Sequence, residues 1–154
     1  MLSKNVNTLL EFIEKINTSD ADALSEMMTD NHKYIDLAGD EVIGREKMLY
    51  AWEAYMKAFP DYTIYIKDIY ENDDKIIFRG TTIGSHLGLE DDEEFMEEQA
   101  LWLVKINKDK LSLWQIIKDT KENQEKLDID NSTRVSEGTI YKEYHEKYKQ
   151  LKAD

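Results

Sequence analysis

The sequence predicts an α+β domain in which three N-terminal helices pack on one face of a curved antiparallel or mixed sheet. Three observations predict it. Apolar residues recur at helical spacing as far as Pro60, the period then switches to two, and the strand-like segments that follow are joined by short polar turns. Helices and hairpins segregated in this way are the mark of an α+β architecture.

Val6, Leu9, Leu10, Ile13 and Ile16, with Phe12 beside them, give residues 4–17 one buried helical face, which Asn17 and Thr18 end. Ser19 stands three residues before Asp22 as a capping arrangement, and Leu24, Met27 and Met28 form the apolar side of a second helix over 20–29. A short strand at 32–37 leads to the third helix, 46–59, whose stripe is Leu49, Trp52, Met56 and Phe59, flanked by Tyr55. Pro60 terminates it, because the residue before a proline is pushed out of the helical region. Thr63, Tyr65 and Lys67 then alternate with Ile64, Ile66 and Asp68, marking a strand over 62–70. The turn Glu71-Asn72-Asp73-Asp74 joins it to a strand over 75–85, and Asn107-Lys108-Asp109-Lys110 joins strands 97–106 and 111–119 as a second hairpin. Beyond residue 120 the chain is polar over 128–137. Tyr141, Tyr144, Tyr148 and Leu151 then predict a helix over 138–151, docked on its own domain, on a second copy or on another protein. The division expected is a main domain of residues 1–120 and a C-terminal helical extension of residues 121–154.

Composition narrows the function. The 154 residues, 41% of them hydrophobic, suffice for one core. Twenty Lys and Arg against 33 Asp and Glu leave a net charge of −13, whose field repels phosphate backbones and anionic lipid, so neither nucleic acid nor membrane is an expected partner. There is no cysteine, no apolar run approaching the ~20 residues of a membrane span, and no charged-then-apolar leader at Met1. A cytoplasmic protein follows as the expectation. His32, His86 and His145 lack metal-ligand spacing, the seven carboxylates of residues 90–98 lack calcium-loop spacing, and the glycines form no phosphate cradle. No metal and no cofactor is expected.

The stretch FIEKINTSDADALSEMMTDNHKYID at 12–36, Gly44-Arg45-Glu46, AFPDYTI at 58–64, GSHLG at 84–88 and WQIIKD at 114–119 occur in the order of landmarks of the SnoaL-like and ketosteroid-isomerase-like superfamily, which includes the nuclear-transport-factor-2-like proteins. Residues 8–120 resemble that superfamily. The resemblance implies a cystatin-like cone, with the helices and the concave sheet face enclosing a pocket, and a homodimer formed through the sheet. It also implies that Asp119 stands where SnoaL-type cyclases carry their acid/base aspartate, Asp36 where the isomerases carry a general base, and His86 within a stretch similar to one of the cyclases. On the same alignment Phe12 and Trp102 replace the isomerase oxyanion-hole donors, which disfavours steroid-type isomerisation.

Strand alternation sorts the faces if the charged residues Lys67, Arg79, Lys105 and Lys118 point to solvent. Ile64, Ile66, Phe78, Thr82, Trp102, Val104, Gln115, Ile117 and Asp119 then face inward, while His32, Tyr34 and Asp36 share a face and Trp52, Tyr55 and Met56 roof the pocket. A carboxyl among such side chains would have its pKa raised by desolvation, which suits proton transfer next to a carbonyl. The catalytic candidates are therefore Asp119, Asp36 and His86. The substrate-binding candidates are His32, Tyr34, Trp52, Tyr55, Met56, Phe78, Trp102, Gln115 and Ile117. The same parity leaves Leu101, Leu103, Trp114 and Ile116 on the outer face, an apolar patch that a second subunit or the C-terminal segment would cover. The functions in contention are a cofactor-independent cyclase, isomerase or lyase acting on a small hydrophobic carbonyl compound, a non-catalytic binder of a small hydrophobic ligand, and a dimeric interaction domain with a filled core.

Overall fold

A computed structural model describes residues 2–73, 75–84 and 100–135. The described elements are α1 (Lys4–Asn17), α2 (Ala21–Glu26), β1 (Met28–Ile35), β2 (Glu41–Ile43), α3 (Arg45–Ala58), β3 (Thr63–Glu71), β4 (Ile76–Ile83), β5 (Ala100–Asn107), β6 (Lys110–Lys118), α4 (Lys121–Lys126), a 3-10 turn (Ile129–Asn131) and β7 (Thr133–Arg134). The strands form one sheet in the order β2-β1-β6-β5-β4-β3-β7. It is mixed, because β1 runs parallel to β6 while every other pair is antiparallel. None of the described helices is long and apolar enough to cross a membrane.

The three expected helices lie on one face. Ser3 caps α1 by accepting from the Val6 N–H, and Val6, Leu9, Phe12, Ile13 and Ile16 are buried along its apolar stripe. Asp20, rather than Ser19, caps α2; Ser19 itself takes a left-handed conformation at φ 57°. The second helix is shorter than its sequence suggests, since Met28 is fully buried as the first residue of β1. Strands β2 and β7, with three and two residues, are too short to show a period of two. The predicted helix over 138–151, the acidic run at 90–98 and His145 lie outside the described residues.

Two buried polar side chains tie these layers together. Asn17, 1% exposed at the end of α1, bonds both polar groups of the Ile64 backbone: its Nδ2 donates to the Ile64 carbonyl at 3.1 Å and its Oδ1 accepts from the Ile64 N–H at 2.9 Å. A helix C-terminus thereby stands in for a neighbouring strand on β3. His32, fully buried on β1, does the same for β6. Its Nδ1 lies 2.7 Å from the Leu111 carbonyl oxygen, so that nitrogen carries the proton and the ring is the Nδ1–H tautomer.

Leu111 needs this partner because the β5–β6 ladder slips beside it. The pairing runs Asn107 with Lys110 and Ile106 with Leu111, then resumes at Lys105 with Leu113, so Ser112 is an extra residue in β6. A bulge of this kind reverses the side-chain parity of everything beyond it. Trp114 and Ile116 consequently turn inward: Trp114 is 1% exposed with its ring 5.0 Å from that of Phe12 and 5.6 Å from that of Phe78. Gln115, Ile117 and Asp119, expected inside, lie on the other face with Leu101, Leu103 and Arg79. This corrects the sorting from the charged residues. Lys118 ends its strand, where solvent is reached from either face, and is a poor marker of parity.

The outer face carries a second, smaller core. Leu127 and Ile129, from the segment after β6, pack on Ile77 and Leu101, with Tyr70, Leu103 and Ile117 around them. The patch expected to meet a second subunit therefore loses Trp114 and Ile116 to the interior and has Leu101 buried under the chain's own C-terminal segment. Polar bonds fasten that segment. Arg79 Nε donates to Asp119 at 2.8 Å, Gln124 Nε2 donates to the same carboxylate at 2.7 Å, and Arg134 donates to Asp68 at 2.7 Å. The Val135 N–H reaches the Ile69 carbonyl at 2.8 Å. Burial works against the Arg79 charge, but Asp119 and Tyr70 more than offset it, and the guanidinium titrates above its ordinary value.

Two measurements check these ties. Asn17→Ala leaves a buried N–H and a buried C=O unpaired and should cost about 2–4 kcal/mol in urea unfolding, with an unchanged m-value. Burial lowers the His32 pKa, and the Leu111 carbonyl opposes this only in part. A depressed folded-state value means that the unfolded chain binds the proton more readily. The stability contributed by the neutral ring is then complete above the unfolded value of ~6.5 and is lost as pH falls from there through the folded value. His32→Gln keeps a donor for Leu111 and removes the titration, so the stability gap between the two proteins should narrow from pH 7.5 to pH 5. An unchanging gap would contradict the assignment.

Candidate functional site

The side chains that gather between α3 and the inner sheet face are aromatic. The spacing of Trp52, Tyr55, Met56 and Phe59 turns one stripe of α3 toward the sheet, and Pro60 ends the helix, so that the chain folds back with the Tyr62 N–H on the Phe59 carbonyl at 3.1 Å. Tyr34 arrives from β1. Trp52 stands at the centre, its ring 6.5 Å from Tyr34 and 6.0 Å from Tyr55, both edge-on, and 6.3 Å from Tyr62. Tyr55 lies 5.1 Å from Tyr62 in a T-shaped pair and 4.9 Å from Phe59. Trp52 and Tyr62 are buried, while Tyr34, Tyr55 and Phe59 are half-buried.

Beneath this rim the interior is filled by rings. Phe78 stacks on Trp102 at 4.7 Å with the planes 4° apart, Trp114 lies between Phe78 and Phe12, and His32 is 6.4 Å from Phe12. Two sealed polar atoms here, His32 Nε2 and Trp102 Nε1, have no hydrogen-bond partner among the described residues. Both atoms are closed off from solvent, His32 Nε2 beside Phe12 and Trp102 Nε1 beside the Phe78 stack.

The rim's hydroxyls are electrostatically coupled. Burial pushes Tyr34 up to about 12, with Asp36 and Tyr55 adding to the shift. Burial also raises Tyr62 well above the ordinary tyrosine value, helped by Tyr55 and Tyr34. Tyr34 and Tyr62 therefore stay protonated through the physiological range, as donors that can also accept.

The sequence-selected residues divide among these places. Tyr34, Trp52, Tyr55 and Met56 come together at the rim, and His32, Phe78 and Trp102 lie in the packed base. Gln115, Ile117 and Asp119 are across the sheet, so the apolar shell expected to desolvate Asp119 does not surround it. Asp36 follows β1 and holds the 36–40 turn, its Oδ1 accepting from the N–H groups of Ala38 at 2.9 Å and Asp40 at 3.0 Å. His86 lies outside the described residues. Tyr62 and Phe59 were not selected, although Tyr62 shares the parity of Ile64 and Ile66 and that signal was available. Among the described residues no three His, Cys, Asp or Glu side chains cluster as a metal site requires.

Comparison with known proteins agrees with this architecture. No curated protein matches the sequence. An uncharacterised cystatin-fold protein from Novosphingobium aromaticivorans, 22% identical, superposes with a TM-score of 0.63 over 77% of this chain and 100% of its own. A putative polyketide cyclase from Sinorhizobium meliloti, also 22% identical, gives 0.59 over 75% and 94%. SalBIII, an epoxide hydrolase/cyclase-like enzyme of pyran ring formation in salinomycin, is 16% identical and gives 0.61 over 76% and 92%. At such identities the likeness is one of fold. The SnoaL-like domain profile, however, matches residues 9–111, well over half of the sequence, and the chain belongs to the SnoaL-like domain family.

Proposed function

We propose that the protein binds a small, largely apolar molecule at the tyrosine-lined rim of its cone, without a cofactor, and that binding rather than acid/base turnover is its activity. The observation that carries this reading is the engagement of the two candidate carboxylates elsewhere. Asp119 is taken by Arg79 and Gln124 on the outer sheet face, and Asp36 holds a turn. A cyclase, isomerase or lyase of the kind the family hosts needs a proton-transfer group in contact with its substrate. The named residues of the rim and base offer phenols, indoles and a sealed imidazole instead. Self-association through the outer face would use what Leu127 and Ile129 leave of Leu103 and Ile117.

Ethylbenzene and acetophenone serve as probes of the site. Titrated into 15N-labelled protein, either should shift the Trp52 indole N–H and the amides of Tyr34, Tyr55 and Tyr62, and Asp119→Asn should bind acetophenone within about twofold of the parent. Shifts confined to the neighbourhood of Arg79 and Asp119, or loss of binding in the Asp119→Asn protein, would overturn the reading.

A further inference from the structure

Tyr34, Tyr55 and Tyr62 could pack as phenylalanines, yet each keeps a hydroxyl in a mostly apolar setting. Burying a hydroxyl without a partner is unfavourable, and retained hydroxyls in such places usually have something to bond. Among the described residues neither the Tyr34 nor the Tyr62 hydroxyl has a hydrogen-bond partner, and neither is one of the sealed polar atoms. Asp36 is close enough to raise Tyr34, and the whole chain carries −13.

Resting on the binding function proposed above, we infer that the rim selects uncharged molecules bearing an oxygen acceptor, such as ketones, esters or ethers, and excludes their carboxylate counterparts, with Tyr34 and Tyr62 as the discriminating donors. A ketone oxygen accepts from these phenols and brings no charge to be stripped of water. A carboxylate would accept the same bonds, but it must shed its hydration in a half-buried aromatic setting within the field of Asp36. A hydrocarbon of the same shape fits the rings and leaves the hydroxyls unanswered.

The test compares acetophenone, ethylbenzene and benzoate, three molecules of similar size, by the shift of the Trp52 indole N–H at neutral pH. Acetophenone should bind at least tenfold more tightly than benzoate. Tyr34→Phe and Tyr62→Phe should each weaken acetophenone by about three- to tenfold, the worth of one hydrogen bond, while leaving ethylbenzene unchanged. Benzoate binding as tightly as acetophenone would overturn the inference. So would phenylalanine variants that keep the full affinity for acetophenone. In both cases ethylbenzene binding would leave the proposed function standing. If none of the three reaches Trp52, the function and the inference fall together.

Discussion

The extra residue at Ser112 decides which way this protein faces. Without it the β5–β6 hairpin would continue its pairing in step and set Trp102 against Gln115. With it, Trp102 is set against Ile116 and Val104 against Trp114. The bulge is held from both sides: Ser112 Oγ donates to the Lys105 carbonyl at 3.3 Å, and His32 bonds the Leu111 carbonyl beside it. Seating the Trp114 ring against Phe12 and Phe78 buries one of the largest apolar surfaces in the chain, of the size that dominates core energetics. That gain accounts for a local break in the ladder, and His32 limits the break's cost in unpaired backbone.

The parity of β6 sets the chemistry of both faces. Inside, the base of the cone becomes a stack of rings holding the sealed His32, and the phenols of Tyr34, Tyr55 and Tyr62 gather at its rim. Outside, Asp119 meets Arg79, and Arg79 also reaches Asp68 at 3.4 Å and the Tyr70 hydroxyl at 3.3 Å. An ion pair shielded from solvent depends on each member having its partner, since removing one leaves a poorly hydrated charge. Asp119 here is an anchor for the C-terminal segment, which adds β7 to the sheet edge and places Leu127 and Ile129 over the outer apolar patch. The aspartate of WQIIKD is thus engaged by Arg79 and Gln124, and the family's fold persists around a rim lined by phenols.

Much of this was legible in the sequence where periodicity was strong. The stripes of α1 and α3 are long enough to identify, Pro60 marks the end of α3, and the two hairpins are punctuated by polar turns. Tyr34, Trp52, Tyr55 and Met56 could be placed together from one strand and one helical stripe. What could not be read was the slip at Ser112. Strand alternation carries no record of a one-residue insertion, and a solvated Lys118 at a strand end offered the wrong parity. The paired hydrogen bonds of Asn17 to Ile64 span 47 positions, and the single one of His32 to Leu111 spans 79, so neither has a local signature. The outer core was illegible for the same reason, because Leu127 and Ile129 are two isolated apolar residues in a polar stretch.

The placement of Trp114 carries the account, and nuclear Overhauser contacts from its indole ring test it most directly. The structure predicts strong contacts from the Trp114 ring protons to the rings of Phe12 and Phe78, and none to the methyl groups of Leu127 or Ile129. Contacts to Leu127 and Ile129 in place of Phe12 would restore the opposite parity of β6, return Asp119 to the interior of the cone, and contradict the assignment of function to the tyrosine rim.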